Sequence, residues 1–317
     1  MLNQNKSFTS VLFFVGIVAT LSLISSCKKS DVHHEEKILF PDDGDDREFD
    51  NLIVTYNVNG NTIVLDKVFP IPSDGSIDKE IWEKQQKAID EHKKRFKFFA
   101  DIIPAAYRKE ITRFTVSYPE EGSNVYATIG RRKNSSISQF SLNISYDFEK
   151  GRTQIPNFSA PDYKHNTLGY DIATYAMIHE FGHYITLNKS QAYLQYYPES
   201  DNYGVNYKEG SFITQMIGIS WNRVFELPEE ILIAMNKSDI FNALPGEFVS
   251  AYACSSFDED GAETFTHFVL LNDKPQDVDG KSKKILLFYQ DPEMVKIRTE
   301  IRQNLQRMGI APGKPNM

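Results

Sequence analysis

The stretch MIHEFGHYITLN, residues 177–188, sets His179, Glu180 and His183 inside an otherwise apolar run. On a helix, residues four apart share a face one turn above each other, so the two imidazoles converge on one point. That geometry suits a zinc ion. Glu180, about 100° round the helix, does not bind the ion but reaches a water beside it and can act as a general base. The plainer reading is a core helix with two hydrogen-bonded histidines. The helix IATYAMIHEFGHYITL, residues 172–187, is apolar almost all round, and the plainer reading gives no reason for an acid and two imidazoles in it.

A catalytic zinc needs a third protein ligand. The three-histidine pattern HExxHxxGxxH requires Gly at 186 and His at 189, and the chain has Thr186 and Lys189. A downstream carboxylate, His165 or His267 remains. The best carboxylates lie in VSAYACSSFDEDGAETFTHF, residues 249–268, where Glu259 and Glu263 are four apart on one face of a predicted helix. Glu259 completes a His, His, Glu set with a net charge of about +1, which lowers the pKa of a bound water. Glu263 can accept the spare N–H of a ligating imidazole, and Gly261 between them lets two helices approach. Against this stands a capping box, Ser256-Phe257-Asp258-Glu259, in which Glu259 bonds backbone and holds no metal. Asp201, in PESDNYG, is the next candidate ligand, and His267, two turns past Glu259, reads as a packed helix residue. Tyr252, seven residues before Glu259, is either a donor to a developing oxyanion or a buried aromatic with a bonded hydroxyl.

Outward from these segments, the first half alternates strand and helix signals. LIVTYNVNGNTIVLDKVF (52–69) reads as a hairpin about Asn59-Gly60, and DKEIWEKQQKAIDEHKKRFKFFA (78–100) as one long amphipathic helix with His92 in a structural place. RFTVSY (113–118), NVYATIGR (124–131) and QFSLNISYDF (139–148) predict an antiparallel sheet, one strand of which can border the cleft and pair with an extended peptide. Helices follow at about 168–187, 210–218, 228–235, 256–271, 282–289 and 291–308. Between the first two, YLQYYPESDNYGVNYKEG (193–210) reads as a loop whose five tyrosines either wall the cleft or scatter over the surface. The fold class is α+β. An N-terminal sheet with a long helix occupies 49–166, and a mostly helical subdomain, 167–317, carries the HExxH helix and completes one catalytic domain.

Residues 1–26 carry Lys6, an apolar run from Val11 to Ile24 and small residues before Cys27, and that run is short for a bilayer span. The segment LISSC resembles a bacterial lipoprotein signal, which makes Cys27 the lipidated N-terminus of the mature chain and anchors it to a membrane, with the outer membrane as the expected location. Residues 27–48 then form an acidic flexible tether, with His33 and His34 solvated in it. Without the leader the formal charge moves from −8 to −9, which disfavours nucleic acid as a partner. Once Cys27 is lipidated Cys254 stands alone, so no intramolecular disulfide can form.

HEFGHYI followed by Tyr252, Glu259 and Glu263 resembles the gluzincin metallopeptidases, in particular the metal site of anthrax lethal factor. With its leader, early helix, HExxH and the segment EDGAETF (259–265), the chain is similar to the zinc-binding metallopeptidase lipoproteins of Bacteroidetes. The resemblance implies a zincin-like fold, one Zn2+ on His179, His183 and Glu259, Glu180 as base, Tyr252 as transition-state donor and Glu263 as support for a ligand. It also implies endopeptidase action on a protein or peptide substrate. The chain departs from the family at Gly261, where a bulky residue is usual. A different class, a cell-surface lipoprotein that keeps the fold only to capture proteins or glycans, has no use for Glu180.

Overall fold

Strand β1 (Leu52–Asn59) and strand β2 (Thr62–Val68) form the expected hairpin, with Asn59 opposite Thr62. The two-residue turn is Gly60-Asn61, one residue later than the sequence signal, and Gly60 supplies its left-handed φ of 56°. The buried Arg108 guanidinium ties the turn down by donating to the Gly60 carbonyl and the Asn61 side chain. This computed structural model describes residues 51–73, 77–119, 125–131, 139–153, 168–197, 202–228, 231 and 237–312, all within one compact unit. The leader, Cys27, the tether with His33 and His34, His165 and Asp201 lie outside the described residues, as does nearly all of the helix expected at 228–235.

The single helix expected over 78–100 is two. Helix α1 (Lys79–Lys87), capped by Asp78, ends at Ala88, whose ψ of 40° interrupts the helical backbone, and helix α2 (Ile89–Ile102) starts at the next residue. Seven residues on a straight helix are roughly 10 Å apart along the axis. The break brings Gln85 Oε1 to 3.1 Å from His92 Nε2, while Tyr56 donates to His92 Nδ1 at 2.6 Å.

Strands β3 (Ile111–Ser117), β4 (Ala127–Arg131) and β5 (Phe140–Ser145) complete a five-stranded sheet in the order β2-β1-β3-β5-β4. The sheet is mixed and not antiparallel as expected, because β3 and β5 pair in parallel. Burial accounts for this. Every residue of β5 is buried and needs an interior place, whereas β4, with only Ala127 buried, belongs at an edge. One face of the sheet packs aromatic rings, with Phe114 5.3 Å from Phe96 of α2. The other is held by side-chain bonds between strands, such as Thr115 to Asn143 at 2.8 Å.

The second half is helical apart from one hairpin. After α3 (Glu149–Arg152) and α4 (Ile172–Leu187), strands β6 (Ala192–Tyr197) and β7 (Asn202–Tyr207) pair antiparallel where a loop was expected. The turn-forming residues at their junction hid the alternation that buries Ala192 and Leu194. Helix α5 (Phe212–Met216) passes into a π-helical turn (Ile217–Trp221) and a last α turn (Asn222–Val224). There follow α6 (Lys237–Ala243), a 3-10 turn (Tyr252–Ser255), α7 (Phe257–Leu270), α8 (Gly280–Gln290) and α9 (Pro292–Arg307). The two halves share one core, and Asn304 of α9 donates to the Ile102 carbonyl at the end of α2. Among the described residues no helix is long and apolar enough to cross a membrane.

Candidate metal centre

Two helices build the site. Helix α4 starts at Asp171, a fully buried cap that accepts the Thr174 N–H at 2.9 Å, and is buried on nearly every side, as its composition requires. Helix α7 starts at Ser256, whose hydroxyl accepts the Glu259 N–H at 3.2 Å. The capping serine is therefore as the sequence suggests, yet the Glu259 carboxylate does not turn back to the backbone. The helices cross at glycines. A Cβ on Gly182 would stand 2.9 Å from the Ala262 carbonyl oxygen, and one on Gly261 would stand 3.2 Å from Thr186 Oγ1.

At that crossing Glu259 Oε2 lies 3.0 Å from His179 Nε2 and 3.4 Å from His183 Nε2. One ligand atom from each of the three residues falls within 4.8 Å of the other two, the size of a site for a metal ion. Behind them, Glu263 Oε1 lies 2.9 Å from His179 Nδ1, which fixes that nitrogen as the donor and leaves Nε2 to face the centre. The donor set fits a divalent cation because two imidazole nitrogens and one half-buried carboxylate converge and are supported from behind. Burial opposes a charge on His179, but hydrogen bonds to Glu259 and Glu263 outweigh it and raise its pKa well above the usual histidine value. Burial also pushes Glu259 up, and the two imidazoles more than reverse this and hold it well below the carboxylate range. A metal ion here would compete with a proton for His179 Nε2.

Glu180 faces the same space. Burial pushes its pKa up to about 7, against the pull of His179 and His183, and the Ile129 N–H of edge strand β4 donates to it. Tyr252, in the 3-10 turn, donates to Glu259 Oε1 at 3.2 Å, with its ring 5.8 Å from His179 and the Lys237 ammonium 4.9 Å from the ring centre. Thus His179, Glu180, His183, Tyr252, Glu259 and Glu263 are all brought together. His267 is not part of the cluster's ligand set, since its Nδ1 donates to the Glu263 carbonyl within α7.

Other residues that shape the site had weaker signals. Tyr175 donates to Glu263 Oε1 at 2.8 Å and could have been found, because it continues the 179 and 183 stripe one turn back. Ser250 donates to Glu263 Oε2, and nothing in its neighbourhood marks it. Asp260, next to Glu259, is fully buried against Lys284 of α8 at 2.6 Å and accepts the Trp221 indole N–H at 2.9 Å. Trp221 is the last residue of the π turn.

Compared with family models, curated proteins and solved structures, the chain has no significant match in any of the three.

Proposed function

We propose that this chain is a zinc-dependent endopeptidase of gluzincin type, with a zincin-like fold, held at the outer membrane as a lipoprotein through Cys27. The observation that carries the reading is the convergence of His179, His183 and Glu259 beside a buried Glu180 that is not one of the three. A pure binding site has no need of that fourth group. When bound to the three ligands, zinc acts as a Lewis acid toward a carbonyl and makes a water acidic near neutral pH.

The side chains supply the rest. Glu180 takes the proton of the attacking water and returns it to the leaving amine, a task suited to a carboxyl raised to about 7. Tyr252 exchanges its bond to Glu259 for one to the carbonyl oxygen as charge grows there. Glu263 keeps His179 in a single tautomer. The Ser145 N–H bonds the Tyr126 carbonyl, so alternate residues of β4 face β5 and the backbone of Ala127 and Ile129 turns outward, to the side where Glu180 lies. An extended peptide along that edge brings its scissile bond to the base.

Cleavage of a diverse peptide pool, with and without a chelator, tests the reading. Wild type should cleave and the chelator should stop it, and Glu180→Gln should keep the metal but lose cleavage by about a hundredfold or more. A metal-loaded wild type that cleaves nothing, or a Glu180→Gln variant at the wild-type rate, overturns it; the first result favours a capture lipoprotein.

A further inference from the structure

The hydrogen bonds around the candidate centre close into a ring. From His179 the path runs through Nδ1 to Glu263 Oε1 at 2.9 Å and from Glu263 Oε2 to the Ser250 hydroxyl. Ser250 Oγ in turn accepts the Ala253 N–H at 3.0 Å, which pins the 3-10 turn carrying Tyr252. Tyr252 reaches Glu259 Oε1 at 3.2 Å, and Glu259 Oε2 returns to His179 Nε2 at 3.0 Å. Two of the links join helices α4 and α7, one runs within the turn, and two tie the turn to α7, Tyr252 to Glu259 and Ser250 to Glu263. Ser250 is the link that joins the turn to the carboxylate behind the ligand. It is 2 % exposed, so no water replaces its hydroxyl.

We infer that Ser250 is a positioning residue that couples the placement of the Tyr252 phenol to the orientation of the ligand His179, through one hydroxyl that serves both. The same hydroxyl caps the turn as acceptor and braces Glu263 as donor, so neither can shift without the other. Tyr175 is the contrast. It donates to the same carboxylate at 2.8 Å, but from α4, a different element from the Tyr252 turn. Removing its hydroxyl acts on Glu263 from the α4 side; removing that of Ser250 loosens Glu263 and the Tyr252 turn together.

A double-mutant cycle separates these roles, with zinc affinity by chelator competition as the main readout and kcat on a cleaved peptide as the second. Only the kcat arm rests on the peptidase reading. Ser250→Ala should weaken zinc binding about tenfold and lower kcat with KM unchanged. In a Tyr252→Phe background the part of the Ser250→Ala effect that runs through the turn should vanish and the part through Glu263 remain, whereas Tyr175→Phe should keep its full effect there. Ser250→Thr, which retains the hydroxyl, should restore affinity. Full additivity of Ser250→Ala with Tyr252→Phe in zinc affinity overturns the inference, even if no peptide is ever cleaved. So does equal coupling for Tyr175→Phe, which would mark a general loosening of the core. Thermal unfolding checks that each variant is folded, and Ser250→Gly takes the place of Ser250→Ala in the cycle if that variant is not.

Discussion

Gly182, between the glutamate and second histidine of the HExxH segment, lies directly against Ala262 of α7, so that a Cβ on it would stand 2.9 Å from the Ala262 carbonyl oxygen. Backbone cannot yield as a flexible side chain does. Gly182→Ala should therefore cost about 1–3 kcal/mol in urea unfolding and weaken metal binding by pushing α4 away from α7. Gly218→Ala, where nothing lies within 4 Å of the added methyl, should leave metal binding unchanged and stability unchanged or slightly raised. Equal effects of the two substitutions would remove the close crossing as the cause.

Metal retention should rank the two glutamates. Glu259→Ala should lower zinc affinity by about a hundredfold or more, since it deletes a converged ligand. Glu263→Gln, which leaves the three ligands in place, should cost about ten- to a hundredfold. Metal content after dialysis measures both. A Glu259→Ala protein that keeps full zinc makes Asp201 the residue to mutate next.

Acid should destabilise the fold through His92. Burial, with a further push from Arg95, lowers its pKa from the ordinary 6.5 to about 3. The fold thus prefers the neutral ring, whose Nδ1 accepts from Tyr56 and whose Nε2–H donates to Gln85. Because the unfolded chain binds the proton first, this stability is present above about pH 6.5 and is lost as pH falls from there towards about 3. The slope reaches about 1.4 kcal/mol per pH unit. Urea midpoints at pH 7 and pH 5 should diverge in wild type and converge in His92→Gln. An unchanged slope in the variant would assign the acid sensitivity elsewhere.

Spacing made the core of the site legible. His179 and His183 at four residues, and Glu259 and Glu263 at four, each fix a helix face, and a face is what a metal site uses. The hairpin at Gly60 and the helices over 172–187, 257–270 and 292–307 were legible for the same reason, since each has a period and an end signal. What stayed hidden depends on contacts between distant segments. Parallel pairing of β3 with β5 follows from competition among strands for the buried place, which no single strand encodes. The break at Ala88 serves a bond between Gln85 and His92. Ser250 gains its role only once the turn and α7 are packed, and Lys284, an ordinary exposed-type residue in sequence, is fully buried because Asp260 is there to meet it.

Helix α7 carries four acids within six positions, and each has its own set of partners, with only His179 shared: Asp258 the Tyr207 hydroxyl, Glu259 the imidazoles of His179 and His183, Asp260 the Lys284 ammonium, and Glu263 the donors Tyr175, His179 and Ser250. The first three point about 100° apart in turn. The helix is therefore keyed, and it seats in one rotational setting. A slip of one residue would present Asp260 to the histidines and leave Lys284 facing Gly261, stranding an ammonium in the core. The number of residues between Tyr252 and Glu259 is thus as tightly set as their chemistry, and even the unremarkable Ser255 is fixed in count though not in kind.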